Sequence, residues 1–523
     1  MKNIKLLDCT LRDGGYINNW EFGKKTIEKI IKELCWAKVD YIEIGFLRDV
    51  KYNENITLFN NLAEVKNVLP HKIGESQIVL QVLHNLYDIN KLEKNDGSIG
   101  MIRVTFHDYD IDEGLEFCRG IMNKGYRCFC NPINIMGYSD SEIIELVEKV
   151  NRMKPHGFAI VDTFGSMHVN DLLRIYLLIE NHLDSSICIG IHLHENLSLA
   201  YALAQKFIEI RNTKRNCIID ASLLGMGRVP GNLCLELIAN YLNEKFEQSY
   251  NLNEILEIID NYIIGIKRKH SWGYAPEYAL SAKYNLHRNY SEYLMDKGKL
   301  RIKDINFILS MIENNKKTTF DSKYIEQLYD DYQDVNIDDR KYKNDLKKEL
   351  QQDEILVLAP GSSLDSEYEQ IEAFIKERNV KIISLNFIPT RFQTQYAFFS
   401  NIKHFETYKD NEQVTFLCSS NVTRENNEPV NAFNYYSLLC HHEKNDNCAI
   451  MLLNLLIKAG IKNVYIAGMD GYKENENNYT KETGNRNSNK GAKENEKIKK
   501  QLNEVSDNLS IKFITTTVFN EEL

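Results

Sequence analysis

The chain has 523 residues, more than one domain usually contains, so two or more domains are expected. Its hydrophobic and charged fractions, 43% and 26%, are those of a globular protein, and no apolar run is long enough for a membrane span. The net charge of −10 excludes non-specific nucleic-acid binding, which needs a basic surface.

Cysteine usage and the N-terminus indicate the compartment. The 11 cysteines are scattered and odd in number, which is typical of reduced thiols. The N-terminus runs directly into a predicted strand, with no apolar signal segment ahead of it. We therefore expect a cytoplasmic protein.

The first predicted strand, Ile4–Leu7, leads into an Arg-Asp-Gly-Gly turn. Gly14 and Gly15 allow the backbone to turn sharply and to approach a ligand. Arg12 and Asp13 therefore lie where parallel α/β folds carry their chemistry, after the C-terminal end of a strand.

Short apolar runs alternate with amphipathic stretches over the first part of the chain. Thr26 to Trp36 has the apolar spacing of a helix that packs on a core. Eight strands alternating with helices predict a (β/α)8 TIM barrel. The predicted strands are Ile4–Leu7, Tyr41–Phe46, Gln77–Val82, Met101–Phe106, Cys128–Ile133, Gly157–Val161, Cys188–Ile191 and Ile218–Ser222.

A His-Leu-His-Glu-Asn segment follows the seventh of these strands. His192 and His194 are two residues apart, so both imidazoles point to the same side of an extended segment. Together with Asp13 they form a predicted three-ligand site for a divalent cation, with open positions. Glu43 lies within an apolar strand, where a carboxylate needs a partner, and Arg12 is the predicted one.

These motifs resemble those of the DRE-TIM metallolyases, which include HMG-CoA lyase, isopropylmalate and homocitrate synthases, and 4-hydroxy-2-oxovalerate aldolase. The resemblance rests on Asp8-Cys9-Thr10-Leu11-Arg12-Asp13-Gly14 and His192-Leu193-His194-Glu195-Asn196. The likeness to the aldolase is strongest, through residues 190–199, residues 219–227 and Gly231-Asn232. It covers roughly the first 290 residues.

The resemblance implies a metal-dependent aldolase that acts on a 2-oxo acid such as pyruvate and on an aldehyde. Mg or Mn suits a site of carboxylate and imidazole ligands. Asn232 is implied as a fourth ligand by the lyase branch. Arg12 is expected to stabilise the enolate that forms when the carbon–carbon bond breaks, and Glu43 to orient Arg12.

Five further residues are weaker candidates. Thr163, Asn134 and His107 follow strands and are predicted to contact the substrate. Tyr274 belongs to a Gly-Tyr-Ala segment that resembles one bringing a tyrosine to the aldolase site. Tyr16 stands where the aldolase has its histidine base, so the general base and the exact substrate stay open.

A change in composition marks the predicted domain boundary. Residues 1–313 are assigned to the barrel with a helical extension, 314–353 to a charged linker and 354–523 to a second domain. Strands and helices alternate again after residue 353 and predict a doubly wound, Rossmann-like α/β domain. Its predicted strands begin at Glu354 and continue with Lys381–Leu385, Val414–Leu417, Val464–Ala467 and Ile511–Thr515.

A ligand is predicted at the ends of these later strands. The turn at Gly361 and Ser362 precedes a helix and suits a phosphate. This turn, Asn386 and Asp470 lie in segments that faintly resemble the nucleotide-sugar fold of certain bacterial sialyltransferases. Residues 474–495 are predicted to be a mobile loop.

Three functions remain open from the sequence. The first is the 2-oxo-acid aldolase, and the second is an acyl-CoA Claisen synthase of the isopropylmalate or homocitrate type. The third is a protein of surface-polysaccharide biosynthesis whose C-terminal domain transfers or binds a nucleotide-sugar. A homo-oligomer is expected in each case.

Overall fold

The structure is a computed structural model that describes residues 3–70, 73–424, 431–442, 445–473, 476–483 and 491–520. It contains two compact units, Met1–Glu292 with Leu309–Asp321, and Tyr293–Ile308 with Ser322–Leu523. Whether the ranges 1–313 and 354–523 fold independently stays a prediction. Residues 474–475 and 484–490 of the predicted loop lie outside the described residues. Within the described ranges, no helix is both long and apolar enough to cross a membrane.

The first unit is a closed parallel barrel, as predicted. Strand β1 pairs with β2 on one side and with β9 on the other, which closes the ring, and the short β3 pairs only with the outer end of β2. All eight predicted strands are confirmed to within two residues at each end. The strands are β1 Ile4–Asp8, β2 Tyr41–Leu47, β3 Leu58–Phe59, β4 Gln77–Leu83, β5 Met101–Phe106, β6 Arg127–Pro132, β7 Gly157–Asp162, β8 Cys188–Leu193 and β9 Cys217–Ala221.

Amphipathic helices cover the outside of the barrel. Helix α2 buries Ile27, Ile30, Ile31 and Leu34 at the spacing read from the sequence. The helices up to residue 310 are α1 Gly15–Asn18, α2 Lys24–Trp36, α3 Leu62–Lys66, α4 Ile111–Asn123, α5 Asp140–Met153, α6 Val169–His182, α7 Ala200–Ile210, α8 Leu235–Phe246, α9 Leu252–Ile258, α10 Ile264–Lys269, α11 Pro276–Lys283, α12 Asn289–Asp296 and α13 Ile302–Ser310.

Inside the barrel, the middle is filled by apolar side chains, and polar side chains lie at the C-terminal ends of the strands. Leu7, Met101 and Phe129 belong to one buried cluster inside the ring of strands. A Cβ on Gly157 would lie 2.0 Å from the Phe129 ring, so only glycine leaves room for that ring. Because apolar side chains fill this part of the interior, polar side chains can form a site only at the C-terminal ends of the strands.

The second unit contains a seven-stranded parallel sheet in the order β14-β13-β12-β11-β10-β15-β16. Strands β11 to β14 are added in turn on one side of β10, whereas β15 and β16 lie on its other side. In open α/β sheets, ligands bind where the strand order reverses in this way. Apolar clusters lie on both faces of the sheet, as in a doubly wound fold. Its strands are β10 Glu354–Leu358, β11 Val380–Leu385, β12 Tyr396–Phe399, β13 Thr415–Ser419, β14 Asn431–Phe433, β15 Asn463–Ala467 and β16 Ser510–Phe513.

Helices occupy part of the segment predicted as a linker. Helix α15 carries charge on most positions but buries Leu346 and Leu350. The helices after residue 321 are α14 Ser322–Gln333, α15 Arg340–Leu350, α16 Ser363–Ser366, α17 Tyr368–Glu377, α18 Ile402–Tyr408, α19 Cys448–Lys458 and α20 Ala492–Ser506.

Candidate active site

Three buried side chains converge at the C-terminal end of the barrel. Asp13 follows β1, His192 lies in β8, and His194 is the first residue after β8. One potential ligand atom from each lies within 4.8 Å of the other two. Asp13 and His192 are 179 residues apart in the sequence, and the closed barrel brings them together.

Hydrogen bonds fix which nitrogen of each imidazole faces the site. His192 Nδ1 lies 3.0 Å from a carboxylate oxygen of Asp220, and His194 Nδ1 lies 2.8 Å from the carbonyl oxygen of Asp162. Both partners are acceptors, so each Nδ1 carries a hydrogen and each Nε2 is left to face the site. This is the arrangement in which histidines bind metal ions.

Asn232 offers a fourth donor. Its amide nitrogen donates to Asp13 Oδ2 at 2.8 Å, while its Oδ1 is buried and has no hydrogen-bond partner among the described residues. A Cβ on Gly227 would lie 2.3 Å from the Asn232 amide and 2.8 Å from Asp13 Oδ2, so glycine is needed there. Two imidazole nitrogens, a carboxylate oxygen and an unpaired amide oxygen fit a divalent cation.

The ionisation states of Asp13 and His194 suit the binding of a divalent cation. Burial raises the pKa of Asp13, but Arg12, His192 and His194 outweigh it and hold the pKa well below its usual range. Burial, together with the charge of His192, lowers the pKa of His194 to about 4. At neutral pH the site therefore presents a carboxylate and an imidazole lone pair.

A chain of buried ion pairs supports these groups. Arg12 donates from Nε to Glu43 Oε2 at 2.6 Å and from Nη1 to Asp13 Oδ1. Arg103 bridges Glu43 Oε1, at 3.3 Å, and Asp220, which in turn holds His192. Each buried charge thus has a partner, as burial requires.

Sequence reasoning missed Arg103 and Asp220. Both are charged residues within apolar strands, the same signal that singled out Glu43. Burial raises the pKa of Asp220, but Arg103 and His192 outweigh it and keep the carboxylate ionised.

The comparisons with known proteins agree with this geometry. A family model described as HMGL-like matches residues 111–261. The chain is 25% identical over 274 residues to a 4-hydroxy-2-oxovalerate aldolase from Geobacillus genomosp. 3, covering 50% of this chain and 77% of that protein. It is 28% identical over 293 residues to a homocitrate synthase from Pyrococcus horikoshii, covering 54% and 78%. The barrel is therefore similar to HMGL-like enzymes, the group whose motifs its sequence resembles.

A solved structure supports the fold of this barrel. It is the N-terminal domain of a candidate aldolase from Bacteroides vulgatus, with 24% sequence identity and a TM-score of 0.51. The match covers 59% of this chain and 100% of that domain.

The other residues predicted for the barrel site differ in their exposure and contacts. The Tyr16 ring packs at 4.8 Å from the Trp20 ring and stays 42% exposed. Thr163 Oγ1 accepts a hydrogen bond from the Asn134 backbone at 2.7 Å, and the Asn134 side-chain amide is buried and unpaired within the described residues. Tyr274 is 61% exposed, and in the described part of the chain it forms no hydrogen bond with the residues of the metal site.

His107 follows β5 and belongs to a small polar cluster. Its backbone nitrogen donates to Asp110 Oδ1 at 2.5 Å, and its ring stacks on Tyr109 with 4.7 Å between centroids. A second histidine, His84, places Nε2 2.8 Å from Asp110 Oδ2. The roles predicted for these five residues stay predictions.

In the second unit, Gly361, Asn386 and Asp470 line a cavity of about 440 Å³. The cavity lies at the ends of β10 and β15, where the strand order reverses. Ser362 and Ser363 direct their hydroxyls to Asp470, and the Ser363 amide donates to Asp470 Oδ2 at 2.8 Å.

The phosphate contact expected at this turn stays a prediction. The amides of Gly361, Ser363 and Leu364 already have protein acceptors. The helix that follows, α16, has only four residues. The turn also holds Asp470, whose pKa is raised because burial outweighs the hydrogen bonds from Ser362 and Ser363.

Proposed function

We propose that the barrel is a divalent-metal-dependent aldolase that forms or cleaves a carbon–carbon bond next to the carbonyl of a 2-oxo acid. The supporting observation is the convergence of Asp13, His192, His194 and the unpaired Asn232 oxygen beside Arg12. These residues would hold Mg or Mn, which supplies Lewis acidity towards a developing enolate oxygen.

Arg12 is proposed to stabilise the enolate. Its Nε and Nη1 are used by Glu43 and Asp13, and within the described residues Nη2 has no acceptor. A fixed donor that meets charge only as it develops lowers the barrier without tightening substrate binding. Glu43, which is 0% exposed, holds the guanidinium plane in place.

Tyr16 is proposed to take part in proton transfer at the substrate. It occupies the position of the aldolase histidine, and its ring lies in the aromatic cluster with Trp20 and Phe46 that packs beside Arg12. Tyr16→Phe removes the hydroxyl and keeps the ring, so it separates proton transfer from packing.

The test is hydrogen–deuterium exchange at the methyl group of pyruvate, followed by mass spectrometry with added Mg or Mn. This exchange reports enolisation and does not need the unknown aldehyde. We expect metal-dependent exchange that falls in Tyr16→Phe. Absence of exchange in the metal-loaded wild type would contradict the proposed function.

Condensation of an acyl-CoA is the second candidate, favoured by the similarity to a homocitrate synthase. It is distinguished by supplying acetyl-CoA with a 2-oxo acid and measuring free thiol. Release of CoA at a rate above that of pyruvate exchange would favour the synthase.

We further propose that the cavity of the second unit binds a hydroxylated, anionic ligand of the nucleotide-sugar class. Asn386, Asn401 and Asn447 line the cavity. Each accepts a backbone hydrogen bond through its side-chain oxygen, which leaves the amide nitrogen to meet oxygens of a ligand. A role in polysaccharide biosynthesis depends on this proposal.

Isothermal titration with UDP-N-acetylglucosamine and with CMP tests the cavity. Asn386→Asp should weaken binding, because it replaces a donor by a carboxylate that repels phosphate. Asn508→Asp, on an exposed residue of the same unit, is the matched control. Equal affinities in the two variants would contradict the assignment.

A further inference from the structure

Two arginines near the metal site have no role in the mechanism above. Arg228 follows β9, and its backbone nitrogen lies 3.4 Å from Asp13 Oδ2. Its guanidinium carbon lies 5.8 Å from the centre of the Tyr16 ring. Arg288 is nearby and donates from Nη1 to the carbonyl of Val229 at 3.3 Å.

The partners of these arginines differ from those of Arg12 and Arg103. Arg12 and Arg103 are each held by two carboxylates. Arg228 instead donates from Nη2 to His287 Nε2 at 3.2 Å, and arginine has only donors, so the imidazole nitrogen accepts. In the described part of the chain, no carboxylate forms an ion pair with Arg228.

Arg288 is only weakly compensated. Its Nε lies 3.6 Å from Glu292 Oε1, which is too long for a hydrogen bond. Glu292 also accepts a hydrogen bond from the Tyr278 hydroxyl at 3.1 Å. The Nε atoms of Arg228 and Arg288 are both buried and lack hydrogen-bond partners among the described residues.

The electrostatics show excess positive charge at this place. Burial and the neighbouring Arg228 lower the pKa of Arg288. Burial, Arg228 and Arg288 lower the pKa of His287 to about 3, so His287 is neutral and adds no charge of its own. Two half-buried guanidiniums with one distant carboxylate between them, Glu292 at 3.6 Å from Arg288, are a favourable site for an anion.

We infer that Arg228, assisted by Arg288, binds an anionic group of the second substrate, so that the aldehyde carries a carboxylate or a phosphate. This rests on the proposed aldolase function. The single carboxylate of a 2-oxo acid such as pyruvate is assigned to the cation that Asp13, His192 and His194 would hold. Arg228 and Arg288 then offer a second cationic position for a second anionic group. His287 holds Arg228 in place without cancelling its charge.

The kinetic test compares matched anionic and neutral aldehydes with pyruvate as the partner. The pairs are glyceraldehyde 3-phosphate with glyceraldehyde, and succinic semialdehyde with butanal, so that phosphate and carboxylate are distinguished. Wild type should prefer one anionic member in kcat/KM, and Arg228→Met should reduce that preference on the order of 10- to 100-fold. Arg228→Lys should restore part of it, because lysine keeps the charge but not the planar donor pair.

Arg119→Met is the control, because Arg119 is an exposed residue of α4 that pairs with Glu116. Each condensation rate is divided by the pyruvate exchange rate of the same variant, which removes changes in enolisation. An unchanged preference in Arg228→Met, or none in wild type, would overturn the inference.

A binding measurement keeps the inference testable if the aldolase proposal fails. Glycerol 3-phosphate and succinate are titrated into wild type and Arg228→Met by calorimetry, with glycerol as the neutral probe. We expect one anion to bind wild type at least 10-fold more tightly than the variant. Equal affinities would refute the anion site itself, whereas absent pyruvate exchange with intact anion binding would refute only the aldolase.

Discussion

The two units place their candidate residues at equivalent positions but use them differently. In both, polar side chains follow parallel strands at the C-terminal edge. At the barrel site, Asn232 Oδ1 and two imidazole Nε2 atoms are left for a ligand. In the second unit, Asp470 instead bonds its own neighbours Ser362 and Ser363. The barrel site thus keeps acceptors for a cation, whereas the Asp470 carboxylate is used within the protein.

The largest effect is expected when the histidine ligands of the barrel site are removed. The double change His192→Ala and His194→Ala should reduce bound metal from about one ion per chain to almost none, because two of the ligands are lost. Elemental analysis of purified protein measures this. His182→Ala, on an exposed residue of α6, is the control. Stoichiometric metal in the double variant would remove the site as described.

The next effect separates binding from chemistry at Arg12. Arg12→Ala should lower pyruvate exchange on the order of 100- to 1,000-fold while metal content stays unchanged. Arg12→Lys should restore little of the exchange rate. The planar guanidinium of Arg12 bonds Glu43 and Asp13 at the same time, and the single ammonium group of lysine cannot reproduce both contacts. Glu43→Gln should show a smaller loss. Normal exchange in Arg12→Ala with bound metal would make Arg12 a structural residue.

A third prediction concerns a half-buried charge, Asp446, in the second unit. Asp446 pairs with Lys299 at 2.7 Å and accepts from Tyr329 and Tyr435. Burial raises the pKa of Asp446, but these partners outweigh it and lower the pKa to about 2. Asp446→Asn should destabilise the unit by about 2 to 3 kcal/mol at pH 7, since each pKa unit corresponds to about 1.4 kcal/mol.

The pH dependence of that effect has a definite sign. The folded pKa is depressed, so the stabilisation is present above the unfolded value near 3.9 and is lost as the pH falls towards 2. Chemical denaturation between pH 7 and pH 2 should therefore show wild type converging on Asp446→Asn in acid. Asp345→Asn, on an exposed residue of α15, is the control. A constant difference across the range would contradict the assignment.

The smallest effects are expected from one glycine substitution in each unit, which compares metal affinity in the barrel with stability in the second unit. Gly227→Ala places a methyl group 2.8 Å from Asp13 Oδ2, and should weaken metal affinity on the order of 10-fold. Gly361→Ala places one 2.2 Å from the Gly468 carbonyl, and should cost stability, about 1 to 3 kcal/mol, without changing metal content. Metal titration and thermal unfolding of both variants separate the two outcomes. Loss of metal in Gly361→Ala would contradict this distinction.

The barrel strands could be predicted because each is a short apolar run bounded by turns. In the second unit the sequence did not indicate β12 or β14. Strand β14 has only three residues, Asn431–Phe433, and becomes a strand only by pairing with β13. Strand β12, Tyr396–Phe399, follows polar residues and is also too short to show a period.

The sequence by itself determined the barrel, the Asp13, His192 and His194 cluster and the need of Glu43 for a cationic partner. The strands and the shared direction of the two histidines follow from local patterns, since strand burial and side-chain alternation depend on neighbours in the chain. Asp13 could be placed beside them because a parallel barrel brings the C-terminal ends of its strands to one face. Only the tertiary structure decided that Arg103 joins Glu43 to Asp220, that Asn232 has an unused oxygen, and that Arg228 meets a neutral histidine. Such pairings depend on distances between strands and loops far apart in sequence, which no local pattern encodes.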